Sequence, residues 1–267
     1  MWRSRLSALR MATWNVNSIR ARFDKLKEWI AYAKPDVICL QETKIKDEEF
    51  PYRELEDLGY FGCHFGTSQW NGVAVLSRSR ADSIQIGFSS QWQDQEARMV
   101  AGVFDDLWIA SVYVPNGRSL EDQHYQFKLR WLEELQKEVS LQRERGRSVL
   151  VAGDFNVAPT DLDVWDPASF VGATHVSEPE REALRRIEQV GMVDIFRRLY
   201  PTQRIYTWWD FRQGAFHKGQ GLRIDLVLAD LDLAKKANWG IVDREARRVS
   251  GFKPSDHAPV IVDFAAS

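Results

Sequence analysis

The chain has 267 residues, of which 44% are hydrophobic and 28% charged, and its formal net charge is −2. That balance suits a large α/β domain with a sizeable core and excludes a uniformly basic nucleic-acid module, so any basic face has to be local. No apolar run reaches transmembrane length and the first residues are too polar for a signal peptide, which predicts a cytoplasmic protein.

In chain order, residues 1–8 read as a flexible extension, and residues 9–16 as a first strand ending among Asn15 and Asn17. Ile19, Phe23, Leu26, Ile30 and Ala33 share one face of a following helix, which Pro35 closes. Residues 36–41 form a short buried strand with Glu42 just beyond it. This βαβ unit implies parallel pairing and delivers Asn15 and Glu42 to one sheet edge, where open α/β sheets bind ligands. Cys39 and Cys63 lie in apolar stretches without metal-type spacing and read as free thiols of a reducing compartment.

Further strands are expected at 72–76, 98–104 and 107–114, the last two joined through Asp105 and Asp106 as an antiparallel hairpin. A long helix over 120–145 carries Phe127, Trp131, Leu135 and Val139 as its apolar stripe. The segment 148–156 is a buried strand whose extended backbone would turn Asp154 and Asn156 to the same side. Ser177 and Glu180 form a capping box before a helix bearing Leu184, Ile187 and Val190. After an aromatic cluster at 206–212, the strand 221–228 carries Asp225 inside an apolar run, where a carboxylate is costly unless paired. Past Gly251 and Pro254, Asp256 and His257 occupy a turn feeding a buried strand of Val260, Ile261, Val262 and Phe264. The two halves hint at a pseudo-duplicated pair of sheets. With no linker in the chain, a single domain over 1–267 is expected.

Asn15, Glu42, Tyr113, Asp154, Asn156, Asp225, Asp256 and His257 therefore recur at strand ends. Oxygen ligands with one histidine and no cysteine suit a hard cation such as Mg²⁺ or Mn²⁺ better than zinc. Such a cation beside an imidazole and a phenol equips a site for phosphoryl transfer or phosphodiester hydrolysis. Taken singly, each residue has a plainer reading: a surface acid, an Asx turn, a packed aromatic. Their repetition at successive strand ends favours a common site.

Residues 13–20 (TWNVNSIR), 40–44 (LQETK), 113–117 (YVPNG), 153–156 (GDFN), 221–225 (GLRID) and 255–259 (SDHAP) resemble, in order and spacing, the motifs of the exonuclease III family. These are the abasic-site endonucleases of the endonuclease/exonuclease/phosphatase superfamily. The resemblance implies a four-layer α/β sandwich, two packed mixed sheets flanked by helices with the site at one rim. It implies Mg²⁺-dependent hydrolysis of duplex DNA 5′ to abasic sites, with Mn²⁺ as a substitute, together with 3′→5′ exonuclease and 3′-end-cleaning activities. The expected partners are duplexes with abasic sites or damaged 3′ ends, met by a monomer with no membrane attachment.

On the same resemblance, Glu42 is the principal metal ligand with Asn15 and Asp256 nearby, Asp154 and Asn156 stand at a second metal position, and His257 adjoins the ion. Asp154 orients or deprotonates the attacking water, a role for which the Tyr113 phenol competes. Asn156 donates to the phosphate, and His257, oriented by Asp225, grips it as an imidazolium. Asn17, Arg98, Trp208 and Leu222 are the candidate DNA contacts, Trp208 packing on the abasic sugar in a pocket shared with Phe211 and Leu222. Trp209 divides evenly between contact and core, and Arg20, Arg22, Lys44 and Lys46 are candidates for the phosphate backbone. Two departures stand out: Asn17 occupies a position where some relatives carry Asp, and Leu222 one where some carry Trp. The rivals are an inositol-phosphate phosphatase or sphingomyelinase built on the same residues, and a damage-binding module without catalysis.

Overall fold

The structure, a computed structural model, describes residues 8–92, 94, 96–248, 251 and 253–266. The extension expected at 1–8 falls outside the described residues except for Ala8, which already belongs to a strand. That strand, β1 (Ala8–Asn15), leads into α1 (Ile19–Ala33) and β2 (Val37–Gln41). The Ser18 side chain accepts from the Ala21 N–H at the helix start. At its end Lys34 turns left-handed (φ 48°) and donates to the Ile30 carbonyl before Pro35 forbids another turn. Next come α2 (Tyr52–Asp57), β3 (Phe61–Phe65), β4 (Val73–Ser77), β5 (Ser83–Ile86), β6 (Met99–Phe104) and β7 (Leu107–Tyr113). The chain continues through α3 (Gln123–Glu144), β8 (Ser148–Asp154), α4 (Glu178–Gln189), β9 (Met192–Asp194), α5 (Ile195–Leu199) and α6 (Ala215–Lys218). It closes with β10 (Asp225–Asp230), α7 (Leu231–Lys236), β11 (Ala237–Val242) and β12 (Val260–Ala265).

The strands form two six-stranded mixed sheets, ordered β11-β12-β1-β2-β4-β3 and β5-β6-β7-β8-β10-β9. Each has one parallel pair at its centre, β1 with β2 and β7 with β8, and in both cases a helix makes the crossover. The remaining pairs are antiparallel, and the two strand orders correspond position by position. The pseudo-duplication hinted at in the sequence is therefore real at the level of topology.

Alternation along the strands builds three cores. Met11, Val37, Cys39 and Val75 from one sheet meet Ile109, Leu150, Ala152 and Val227 from the other between the sheets. Their neighbours Ala12, Trp14, Ile38 and Leu40 point outward onto Leu26, Trp29 and Ile30 of α1. On the opposite outer face Trp108, Val149 and Val151 pack under Trp131, Leu135 and Val139 of α3 and Leu184 and Ile187 of α4. This is the expected four-layer arrangement, which the period of two along each strand makes possible. A fully buried polar rung crosses it: Thr13 donates to Gln41 (3.2 Å), Gln41 to Ser111 (3.0 Å) and Ser111 to the Leu40 carbonyl (2.9 Å). The rung ties β1 and β2 to β7 one layer below the strand ends and fixes how the sheets align.

Two boundaries differ from the sequence reading. The strand expected at 221–228 begins only at Asp225, because Leu222 pairs instead with Trp208 in an isolated antiparallel bridge. The strand expected to run to Asn156 ends at Asp154, and Asn156 is left-handed (φ 51°), so the two side chains are placed by a turn and not by extended alternation. The short strands β3, β5, β9 and β11 carry no clear signal in the sequence.

Candidate active site

The parallel pairs end at the same rim at which their antiparallel neighbours begin. Asn15 closes β1, Glu42 follows β2, Tyr113 closes β7 and Asp154 closes β8. Asp225 opens β10 directly opposite Asp154, and Asp256 and His257 precede β12, whose Val260 faces Thr13. Asn17, Glu42, Lys44 and Asn156 all take left-handed backbone angles of 45–53°. Such angles are costly for side chains with a Cβ and concentrate at functional sites.

A hydrogen-bonded chain runs through the rim. The Asn15 amide donates to Glu42 Oε1 (2.7 Å) and to Asp154 Oδ2 (3.0 Å) while its oxygen accepts the Asn17 N–H (3.0 Å). Asn17 donates to Asp256 Oδ1 (2.9 Å) and accepts from Lys44 (2.6 Å), whose ammonium also lies 2.7 Å from Glu42 Oε2. His257 Nδ1 lies 2.8 Å from Asp225 Oδ2 and its Nε2 lies 3.7 Å from Asp154 Oδ2. One ligand atom from each of Glu42, Asp154 and His257 falls within 4.8 Å of the others. The other Asp225 oxygen is buried with no hydrogen-bond partner among the described residues.

The electrostatics follow from burial and crowding. Burial would depress His257, but the carboxylates of Asp225 and Asp154 outweigh it and raise the ring to about 10, so it is an imidazolium at neutral pH. Burial, with Asp225 and Glu42 close by, holds Asp154 up at about 7 despite the nearby imidazolium. The Tyr113 phenol is pushed far above its ordinary range by burial and by the charges of Glu42 and Asp154. Asp256, although burial opposes ionisation, is kept below the usual carboxylate range by His257 and by hydrogen bonds from Asn17 and Trp208. The carboxylates of Glu42 and Asp154, converging within 4.8 Å, offer oxygen donors that fit a hard divalent cation, with the charged His257 ring beside them.

Residues 12–257 match the endonuclease/exonuclease/phosphatase family. Exodeoxyribonuclease III of Haemophilus influenzae is 31% identical over 96% of this chain and all of its own length. Among solved structures, an AP endonuclease from Archaeoglobus fulgidus is 34% identical with a TM-score of 0.91, covering 96% of this chain and 99% of its own. The 3′ phosphatase NExo from Neisseria, bound to a product DNA hairpin, is 32% identical with a TM-score of 0.92 over the same shares. The chain belongs to the endonuclease/exonuclease/phosphatase family.

Around this family rim the other sequence candidates take distinct positions. Arg98 is buried, and its guanidinium is engaged by Glu96 (2.6 Å) and by the Tyr113 carbonyl (3.2 Å) while stacking 4.8 Å from the Tyr113 ring centre. Its donors are taken up by Glu96 and the Tyr113 main chain, and its plane braces the phenol ring rather than facing outward. Trp208 donates to Asp256 Oδ2 (3.1 Å) and shares a small apolar cluster with Leu222, which is only 1% exposed. Trp209 resolves to core, and Phe211 stands out at the surface beside Arg247 and Lys253. Arg22 is buried against the Asn17 and Pro254 carbonyls, Arg20 pairs with Glu49, and Lys46 is exposed.

The motifs passed over a second group of residues. Asn116 lies inside the Tyr113–Gly117 segment, and its amide donates to Asn156 Oδ1 (3.3 Å). Lys128 is fully buried, paired with Glu180, and donates to the backbone carbonyls of Asn156 (2.6 Å) and Asn116 (3.2 Å). His175 reaches both asparagines from the loop before α4. A lone lysine in a helix and a lone histidine in a loop give a sequence reader nothing to distinguish them from surface residues.

Proposed function

We propose that this chain is a Mg²⁺-dependent phosphodiesterase of DNA repair that cleaves duplex DNA 5′ to abasic sites, leaving a 3′-hydroxyl, and trims damaged 3′ ends. The observation that carries this reading is the convergence of Glu42, Asp154 and His257 within 4.8 Å, with Asp225 behind the ring. Its relatives, by name an exodeoxyribonuclease III, an AP endonuclease and a 3′ phosphatase, support the substrate class.

A divalent cation would be held by Glu42 with Asn15 and Asp256 beside it and Asp154 at a second position, where Mg²⁺ or Mn²⁺ would supply positive charge for a phosphate anion, while Asn156, whose oxygen faces His175 and Asn116, is left to the phosphate. The protein's own groups do the rest. His257, charged and anchored by Asp225, binds a phosphate oxygen as an imidazolium. Asp154, poised near neutrality, takes the proton from the attacking water. Tyr113 keeps its proton, since burial and then the charges of Glu42 and Asp154 oppose its ionisation, and therefore acts as a donor to the phosphate and not as the base. Asn156 donates through its amide as charge builds on the phosphate. Trp208, with one edge fixed on Asp256, offers its ring to a sugar lacking its base. Arg98 supports the reaction by bracing Tyr113, while Arg20 and Lys46 meet the DNA backbone.

We further place the protein as a monomeric, single catalytic domain in the cytoplasm; its two cysteines are free and buried, which suits a reducing compartment. No helix among the described residues is long and apolar enough to cross a membrane. The deciding experiment compares three duplexes in Mg²⁺ and in EDTA: one tetrahydrofuran lesion, no lesion, and a 3′-phosphate nick. Incision at the lesion with a 3′-hydroxyl product, abolished by EDTA, is expected. Incision-free binding, or hydrolysis of sphingomyelin or inositol phosphates instead, sinks the proposal.

A further inference from the structure

His175 has an unusual setting. Its backbone is left-handed (φ 76°), a conformation for which glycine is the default and a side chain with a Cβ is strained. Both backbone groups are nevertheless used: its N–H donates to Glu180 Oε1 (3.0 Å) and its carbonyl accepts from Ala158 (2.7 Å). The ring is held at both nitrogens. Nδ1 lies 2.8 Å from the Thr174 hydroxyl, and Nε2 lies 3.2 Å from Asn156 Oδ1 and 3.1 Å from Asn116 Nδ2.

The consequence falls on the Asn156 amide. Its nitrogen gives one N–H to the Val114 carbonyl (2.9 Å), and its oxygen faces His175 and Asn116. One amide N–H is then left without a partner among the described residues. An amide flipped about its last bond would present oxygen in place of that N–H, and oxygen repels a phosphate. Val114 fixes the nitrogen end of the amide, and the groups facing its oxygen fix the other end.

We propose that His175 is a positioning residue for phosphodiester hydrolysis: with its Nε2–H donating to Asn156 Oδ1, it locks the Asn156 side-chain amide so that the free N–H of that amide meets the scissile phosphate. This rests on the hydrolase reading above and adds to it a residue outside the family-like motifs. His175 does not touch the substrate; it acts through Asn156. The buried Lys128–Glu180 pair complements it from below, since Lys128 fixes the backbone carbonyls of Asn156 and Asn116 and Glu180 receives the His175 N–H.

The test uses His175→Gly, which deletes the ring and relieves the left-handed backbone, with His175→Asn as a second variant that tolerates the same angle. On the tetrahydrofuran duplex in Mg²⁺, His175→Gly is expected to lower kcat about 10- to 100-fold with KM within about threefold of the parent, as for misaimed donors. In EDTA, duplex affinity by fluorescence anisotropy and the thermal midpoint should stay near the parent values. A merely structural role predicts the opposite pattern, a lower midpoint with kcat intact. The sharpest comparison is with Asn156→Ala: the double variant Asn156→Ala/His175→Gly should be no slower than Asn156→Ala alone, because the lost effect passes through that amide. A kcat within twofold of the parent for both His175 variants, or losses that multiply in the double variant, overturns the proposal. An inert parent protein overturns the hydrolase reading itself, and this inference with it.

Discussion

The proposed chemistry turns on three side chains whose surroundings push their proton affinities apart. His257 is held near 10 by the carboxylates around it, Asp154 near 7 by burial and like charge, and Tyr113 far higher. Asp154 must be deprotonated to act as base, so activity rises as pH climbs through the Asp154 range. His257 must be protonated, so activity is lost as pH climbs through about 10. We expect a bell-shaped kcat/KM profile, its acid limb moved below 7 by a bound cation; a profile flat on the alkaline side removes the imidazolium from the mechanism. Asp154→Asn and His257→Asn should each lower kcat by about 10²–10⁴-fold while duplex binding in EDTA survives. Near-normal turnover in either variant refutes the assigned role. In Asp225→Asn the alkaline limb should move down toward the ordinary histidine range, which a pH–rate profile reads directly. The apolar run around Asp225 shows that its carboxylate needs a partner, and the family resemblance, not the pattern, names His257 as that partner. The further duties of Asp256 are not legible in the sequence: its hydrogen bonds come from Asn17 and Trp208, more than two hundred and about fifty residues away respectively.

At the scale of elements, the rim depends on how α3 and α4 support the loops beneath it. Lys128 on α3 and Glu180 on α4 are both fully buried and both bonded into the loops that carry Asn116, Asn156 and His175. Removing one partner strands the other charge. Glu180→Ala is therefore expected to destabilise the fold by about 3–5 kcal/mol in urea unfolding, whereas replacing both partners by apolar residues should cost less. Equal losses for the single and double changes would show that packing, not charge, is at stake. The long helices are readable, α1 from its apolar stripe and Pro35, α4 from its Ser177 and Glu180 capping box, but the short α2, α5, α6 and α7 are not. Nor are the short strands. β9 has three residues, and β5 (SIQI) exposes Ile84 and Ile86 against the usual alternation. At such edges pairing with a neighbour, not the local pattern, makes the strand.

Across the whole molecule two topologically matched sheets face one another, and the site forms where the ends of both meet. Close approach is part of that design: a Cβ on Gly153 would sit 1.9 Å from the Val112 carbonyl oxygen, backbone that cannot yield. Gly153→Ala should therefore spread β7 from β8, lowering the thermal midpoint and, by displacing Asp154, kcat as well; an unchanged midpoint would contradict the packing described. With a net charge of −2, attraction to DNA has to be local, and log affinity should still fall linearly with log salt, by about 0.9 per phosphate contacted. Arg20→Ala and Lys46→Ala should each flatten that slope by about one unit, and slopes identical to the parent would remove both residues from the interface.

Local patterning determined the class of fold, the helices that cover it and the identity of the polar residues at the strand ends, since those depend on periodicities of two and of 3.6 and on short motifs. It also pointed to a hard cation and a phosphate, because residue types alone choose between oxygen and sulfur chemistry. Only the tertiary structure decided which of those groups touch, that Arg98 braces Tyr113, that Leu222 is buried, and that Lys128 and His175 stand beneath the asparagines. Those contacts join residues far apart in the chain, and burial and proximity, which set both proton affinity and hydrogen-bond partners, exist only once the sheets have packed.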